Sequence, residues 1–190
     1  MAAVVVFHHA LGLTPGVQAF ATTLRKAGHD VVVPDLFEGR TFADVESGVA
    51  HARQVGFGEI TEGGVRAASD MPEDQVYIGM SLGVLPAQRL AQTRPGARGA
   101  VLLYSCLPAA EFGGWPDGLP AQVHAMEDDP LFADDGDRDA AIALAGANPG
   151  VAYFPYPGDG HLFAEPGQPA HDERAAALMT ERVLAFLARA

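Results

Sequence analysis

The stretch Gln75-Val76-Tyr77-Ile78-Gly79-Met80-Ser81-Leu82-Gly83-Val84-Leu85-Pro86-Ala87-Gln88-Arg89-Leu90 decides the fold. Its first residues are apolar, β-branched and aromatic, as in a buried strand, and its last seven have helical composition and spacing. Between them, Gly79-Met80-Ser81-Leu82-Gly83 forms a G-x-S-x-G turn. A serine on so sharp a strand-to-helix turn takes strained backbone angles. Side chains two residues to either side would collide, which explains both glycines. The turn lifts the Ser81 hydroxyl above the sheet and aims the N–H of Leu82 where an oxyanion would form. Pro86 is tolerated because it falls in the first helical turn. Five residues alone are weak evidence, and the strand before and the helix after give them weight.

Outward from the turn, apolar strand-like runs alternate with Ala/Leu-rich helical ones. Strands are expected at Ala3 to Phe7, His29 to Pro34, Gln75 to Ile78, Ala100 to Tyr104, Gln122 to Met126 and Val151 to Tyr156. Helices are expected at Gly16 to Lys26, Phe42 to Val55, Leu82 to Thr93, Arg138 to Ala145 and His171 to Ala188. Another helix, or two short ones, is expected at Gly58 to Ser69, where Gly63-Gly64 interrupts the pattern. The second strand is continuously apolar, which suggests a buried parallel strand. This is the pattern of βαβ units around a mainly parallel central sheet with helices on both faces. With the serine turn it predicts an α/β-hydrolase fold, one domain over residues 1–190, with no large cap domain.

A chain of 190 residues suits one domain and can bury a sizeable core. The formal net charge of -12 opposes phosphate backbones and anionic lipid, so neither nucleic acid nor membrane is expected as a partner. One cysteine, Cys106, excludes an intramolecular disulfide and fits a reducing compartment. The first residues lack a basic segment, and their apolar run is too short for a signal peptide or a membrane span, so a cytoplasmic location is expected.

A serine hydroxyl needs a base to take its proton, and the base needs an orienting acid. In this fold the chain order is serine, acid, histidine. His124 lies within a strand and reads as a satisfied core histidine, while His171 opens the last helix toward solvent. His161, in Gly158-Asp159-Gly160-His161-Leu162-Phe163, sits in a glycine-rich loop beyond the carboxyl end of a strand, where ligands bind in open α/β sheets. It is the expected base. The acid comes from the loop after the fifth strand, where Glu127, Asp128 and Asp129 all qualify by position. Pro130 biases Asp129 toward an extended backbone, but spacing alone does not separate the three. The stretch Leu107 to Leu119, with Phe112 and Trp115, is a candidate apolar wall of the pocket.

These residues resemble the dienelactone hydrolase family over nearly the whole chain. The likeness is carried by His8-His9-Ala10-Leu11-Gly12-Leu13-Thr14-Pro15-Gly16, by Val33-Pro34-Asp35-Leu36-Phe37 with Gly39-Arg40-Thr41, by the serine turn, by Glu127-Asp128-Asp129-Pro130, and by Tyr156 through Phe163. The resemblance implies that Asp129, the aspartate before proline, is the acid, and that the N–H of Ala10 is the second oxyanion donor beside Leu82. It also implies that His8 and His9 line the cleft, and Leu11 and Phe163 are placed at the pocket with them. Two departures stand out. Members named for dienelactone chemistry carry cysteine where this chain has Ser81, and a glutamate that meets the thiol where this chain has His9 or His8. The paired arginines that hold a dienelactone carboxylate are also not evident. Cys106, remote from the turn in sequence, reads as a small core residue.

The expectation is a hydrolase that cleaves a small-molecule ester or lactone by a Ser81-His161-Asp129 triad through an acyl-enzyme, with no cofactor. No metal is expected at His8 and His9, since adjacent residues at a strand end point to opposite sides. Thioesterase or acyltransferase chemistry with the same triad is one alternative, and a non-catalytic ligand-binding protein on the same fold is another. A monomer or small homo-oligomer is expected.

Overall fold

The structure, a computed structural model, describes every residue except Asp135. Six strands form one sheet: β1 (Ala3–Phe7), β2 (Asp30–Val32), β3 (Gln75–Met80), β4 (Gly99–Leu103), β5 (Ala121–Met126) and β6 (Val151–Tyr156). Their order is β2-β1-β3-β4-β5-β6, and every neighbouring pair is parallel. This is the α/β-hydrolase architecture expected from the sequence, and no large cap domain is inserted into it.

Side chains alternate along each strand, so each strand feeds two cores. Val4, Val6, Val76, Ile78, Val101 and Leu103 face helices α1 (Pro15–Lys26) and α7 (Glu173–Leu187). Val5, Phe7, Tyr77, Ala100, Leu102 and Val123 face α4 (Val84–Thr93) and α6 (Asp137–Ala147). A smaller cluster, including Ala10, Ala52, Ile60 and Leu82, joins the serine turn to α2 (Val45–Val55) and α3 (Phe57–Ala67).

Several boundaries differ from expectation for identifiable reasons. β2 covers only Asp30–Val32 and is the sheet's edge, with Asp30 and Val32 exposed, so its apolar run does not mark a central strand. α2 begins at Val45 and not Phe42, because Asp44 caps it by accepting the Ser47 N–H at 2.7 Å. α3 runs unbroken through Gly63-Gly64. A Cβ on Gly64 would overlap Pro86 of α4, so this glycine permits close packing of the two helices and does not break α3. The last helix starts at Glu173 after an Asp172 cap, which leaves His171 outside it. A short helix, α5 (Pro130–Ala133), is added after β5.

Candidate active site

Ser81 takes a φ of 49°, the left-handed strain that the turn demands. A Cβ on Gly79 would stand 2.5 Å from Val84 Cα, and one on Gly83 would overlap the Phe7 carbonyl, so both glycines are sterically required. Residues 81–83 form a single 3₁₀ turn before α4 begins. The adjoining strand is strained at the same level. Tyr104, the next residue in register after the Met80–Leu103 pair, has a φ of 68°.

Ser81 Oγ lies 2.8 Å from His161 Nε2, and His161 Nδ1 lies 2.7 Å from Asp129 Oδ2. An ionised carboxylate only accepts, so Nδ1 carries the proton and donates it. Nε2 is left as the acceptor for the Ser81 O–H. The two loops meet because pairing continues past the strand ends. Glu127 N–H donates to Tyr156 O at 2.8 Å, and Asp128 N–H donates to Gly158 O at 2.9 Å. Asp129 is fully buried, while Glu127 and Asp128 are exposed. Its second oxygen accepts the Leu131 N–H at 3.0 Å, where Asp129 caps α5 and Pro130 occupies the first helical position. Asp129 keeps the extended backbone that a following proline favours, and the proline also begins the helix that the aspartate caps.

His161 is held from below. The Tyr104 ring is 6.1 Å from it, and Phe163 sits edge-on to Tyr104 at 5.3 Å and against Tyr156 at 5.1 Å. Burial pushes the Tyr104 phenol well above its ordinary pKa, so it remains a neutral wall. The His161 side chain is 13% exposed, so its ring keeps an edge open to solvent.

Ala10 and Leu82 are close for a topological reason. Phe7 pairs with Gly79 across neighbouring strands, and both residues lie three positions further along. α2 packs over this junction, where a Cβ on Gly48 would overlap the Ala10 carbonyl.

The proposed pocket side chains stand elsewhere. His8, His9, Leu11 and Phe163 are 0–1% exposed and so present almost no surface to a substrate. His8 Nε2 accepts the Leu36 N–H at 2.9 Å, so its Nδ1 is protonated and donates to His9 O at 2.8 Å. Burial, opposed by that bond, holds the His8 pKa below its ordinary value. His9 turns the other way, with Nε2 3.1 Å from Glu165 Oε2. Trp115 is also displaced. Its Nε1 donates to Leu119 O at 3.0 Å, while Gln92, near the far end of α4, donates to the carbonyls of Ala109 and Gly114. At 1.5 Å per residue, Gln92 is about 16 Å along the chain axis from Ser81. The Trp115 segment therefore runs down the α4 face and packs on the core there.

Cys106 is buried, and desolvation, reinforced by nearby Asp137, pushes its thiol up to about 12, so it is an inert core residue. His124 is a core histidine, held between Tyr156 and Gln122 at 2.8 and 3.0 Å. Sequence reasoning missed Tyr104, Thr14 and Glu165. Thr14 followed by Pro15 carried a helix-start signal, but no local pattern marked the other two.

The sequence profile of the dienelactone hydrolase family matches residues 1–190. The chain belongs to the dienelactone hydrolase family. Membership makes it a hydrolase, and the family fold agrees with solved structures. A proposed dienelactone hydrolase of Klebsiella pneumoniae is 18% identical with a TM-score of 0.78, covering 100% of this chain and 88% of that one. A dienelactone hydrolase-like promiscuous phosphotriesterase from metagenomic libraries is 21% identical with a TM-score of 0.75, covering 100% and 86%. A cold-adapted esterase from an Arctic intertidal metagenomic library is 14% identical with a TM-score of 0.66, covering 98% and 82%. At these identities the likeness shows the fold. A search of curated proteins finds no match. Among the described residues, no helix is long and apolar enough to cross a membrane.

Proposed function

We propose that this family member is a serine hydrolase that cleaves carboxylic esters or lactones of small molecules through an acyl-enzyme. The observation that carries the reading is the unbroken relay from Ser81 Oγ through His161 to buried Asp129, with both links under 3 Å. His161 Nε2 takes the Ser81 proton as Oγ attacks the carbonyl. Asp129, itself held by the Leu131 N–H, stabilises the imidazolium that results. The N–H groups of Ala10 and Leu82 hold the oxyanion, each worth about 3 kcal/mol in the transition state. His161 then protonates the leaving alkoxide and activates water, which releases the acid and restores Ser81. A hydroxyl at this position favours general ester or lactone cleavage over the reaction that names the family.

The test uses p-nitrophenyl butyrate and a fluorophosphonate probe. Wild type is expected to turn over the ester and to be labelled at Ser81, and Ser81→Ala to do neither. Equal turnover by the two proteins defeats the triad. A folded wild type that is not labelled favours a ligand-binding protein on this fold.

A further inference from the structure

Two carboxylates are buried among the described residues, Asp129 and Glu165. Asp129 belongs to the proton relay, but Glu165 has no place in it. A buried carboxylate is unfavourable unless its oxygens are paired, and both oxygens of Glu165 are. Thr14 Oγ1 donates to Oε1 at 2.6 Å, and His9 Nε2 stands 3.1 Å from Oε2. The Thr14 oxygen in turn caps α1 by accepting the Val17 N–H at 3.2 Å. Gly16, in the first turn of α1, has no Cβ, and one added there would overlap the carboxylate. Glu165 is therefore seated against the positive end of a 12-residue helix in a slot that only glycine leaves open. Because the carboxylate accepts, His9 is protonated on Nε2, and its buried Nδ1 is left without a partner. The imidazole thus leaves one nitrogen unsatisfied while the other points at Glu165.

These contacts join two loops that the sheet does not join. His9 precedes Ala10 in the loop after β1, and Glu165 follows His161 by four residues in the loop after β6. β1 and β6 are four places apart in the sheet, about 19 Å at a spacing of 4.8 Å per strand. No strand pairing sets one loop against the other across that distance. We propose that Glu165 is a positioning residue: its carboxylate braces the His161 loop against the Ala10 loop, so that base and oxyanion donor keep one spacing. Phe163, buried between Tyr104 and Tyr156, anchors the same loop two residues before Glu165. The catalytic meaning of the brace rests on the serine-hydrolase reading above. A misplacement on the order of 1 Å at such a site costs about a hundred-fold in rate.

The test compares wild type, Glu165→Ala and Glu165→Gln by kcat and KM on p-nitrophenyl butyrate, by fluorophosphonate labelling rate, and by amide exchange in residues 9–12 and 161–165. Glu165→Ala is expected to lose about 30-fold in kcat and in labelling with KM within about two-fold, and to speed exchange in both loops. Glu165→Gln still accepts from Thr14 and donates to the other tautomer of His9, so it is expected to stay within about five-fold of wild type. If Glu165→Ala does not fold, His9→Leu cuts the same link from the other side and should show the same loss. A reactive wild type with an equally reactive Glu165→Ala overturns the brace. A wild type inert to the probe overturns the triad instead, and the brace then stands or falls on the exchange alone, where unchanged rates in both loops overturn it.

Discussion

His124 lies within β5 and His161 on the loop after the neighbouring strand β6, and each has both ring nitrogens engaged, yet their surroundings give them opposite characters. His124 lies inside β5, fully buried, between the Tyr156 hydroxyl and the Gln122 amide, stacked on Phe154 at 5.0 Å. The Gln122 oxygen only accepts, so Nε2 carries the proton and Nδ1 accepts from Tyr156. Desolvation first, then the Arg182 guanidinium, holds the His124 pKa down to about 3. The ring is a neutral strut. His161 is on a loop past β6, with a carboxylate on one side, a hydroxyl on the other, and an edge open to solvent. Hydrogen bonding alone does not make a histidine a base. The base role proposed for His161 requires an adjacent carboxylate to stabilise the imidazolium, together with access to a substrate.

Breaking the working side of this comparison should give the largest effect. His161→Ala is expected to lower kcat on p-nitrophenyl butyrate on the order of a hundred-thousand-fold or more, with the fold retained by circular dichroism. Asp129→Asn comes next, with a loss of about ten-thousand-fold, because an amide can hold the wrong imidazole tautomer. Asp128→Asn, at an exposed neighbour, should leave kcat within about two-fold. The reverse ranking would show that the other carboxylate orients the base.

The structural side should appear in stability, with a defined sign. The unfolded chain protonates His124 near pH 6.5, while the folded one does so near pH 3. Between these values the unfolded state binds more protons, so stability falls as pH drops through that window. His8, whose pKa is also lowered, acts in the same direction. Urea unfolding at pH 7 and pH 4 should show His124→Gln losing about 3 kcal/mol less than wild type between the two. An equal loss would mean that His124 is not the neutral strut described. An equally small effect on activity is expected from Trp115→Ala, which should leave kcat/KM within about two-fold while lowering stability by roughly 2 kcal/mol. A large rise in KM would return Trp115 to the substrate wall.

The elbow was legible because its cause is short-range. Strain at Ser81 and the crowding that excludes side chains at Gly79 and Gly83 involve residues within a few positions, plus the strand beside them. The alternation of strands and helices was legible for the same reason, and His161 was recognisable from a glycine-rich loop after a strand. Glu127, Asp128 and Asp129 could not be separated by spacing, because side-chain burial depends on how the β5 loop meets the β6 loop. The burial of His8, His9, Leu11 and Phe163 and the placing of Trp115 along α4 were decided at the same level, since a residue adjacent to a site in sequence can turn into the core or be carried down a helix face.

Glu165 marks the limit most clearly. Its partners lie 156 and 151 residues away, and nothing around it in the chain predicts burial of a charge. The sequence by itself determined the strained serine turn, the glycine-rich loop that carries His161, and the parallel βαβ frame, because local sterics and side-chain periodicity govern these. The resemblance pointed to Asp129, but only the tertiary structure buried it against His161 with its neighbours exposed, and only there does a second buried carboxylate tie together loops from β1 and β6. Such pairings depend on where the packed sheet brings distant loop ends together, and that is a property of the whole assembled core.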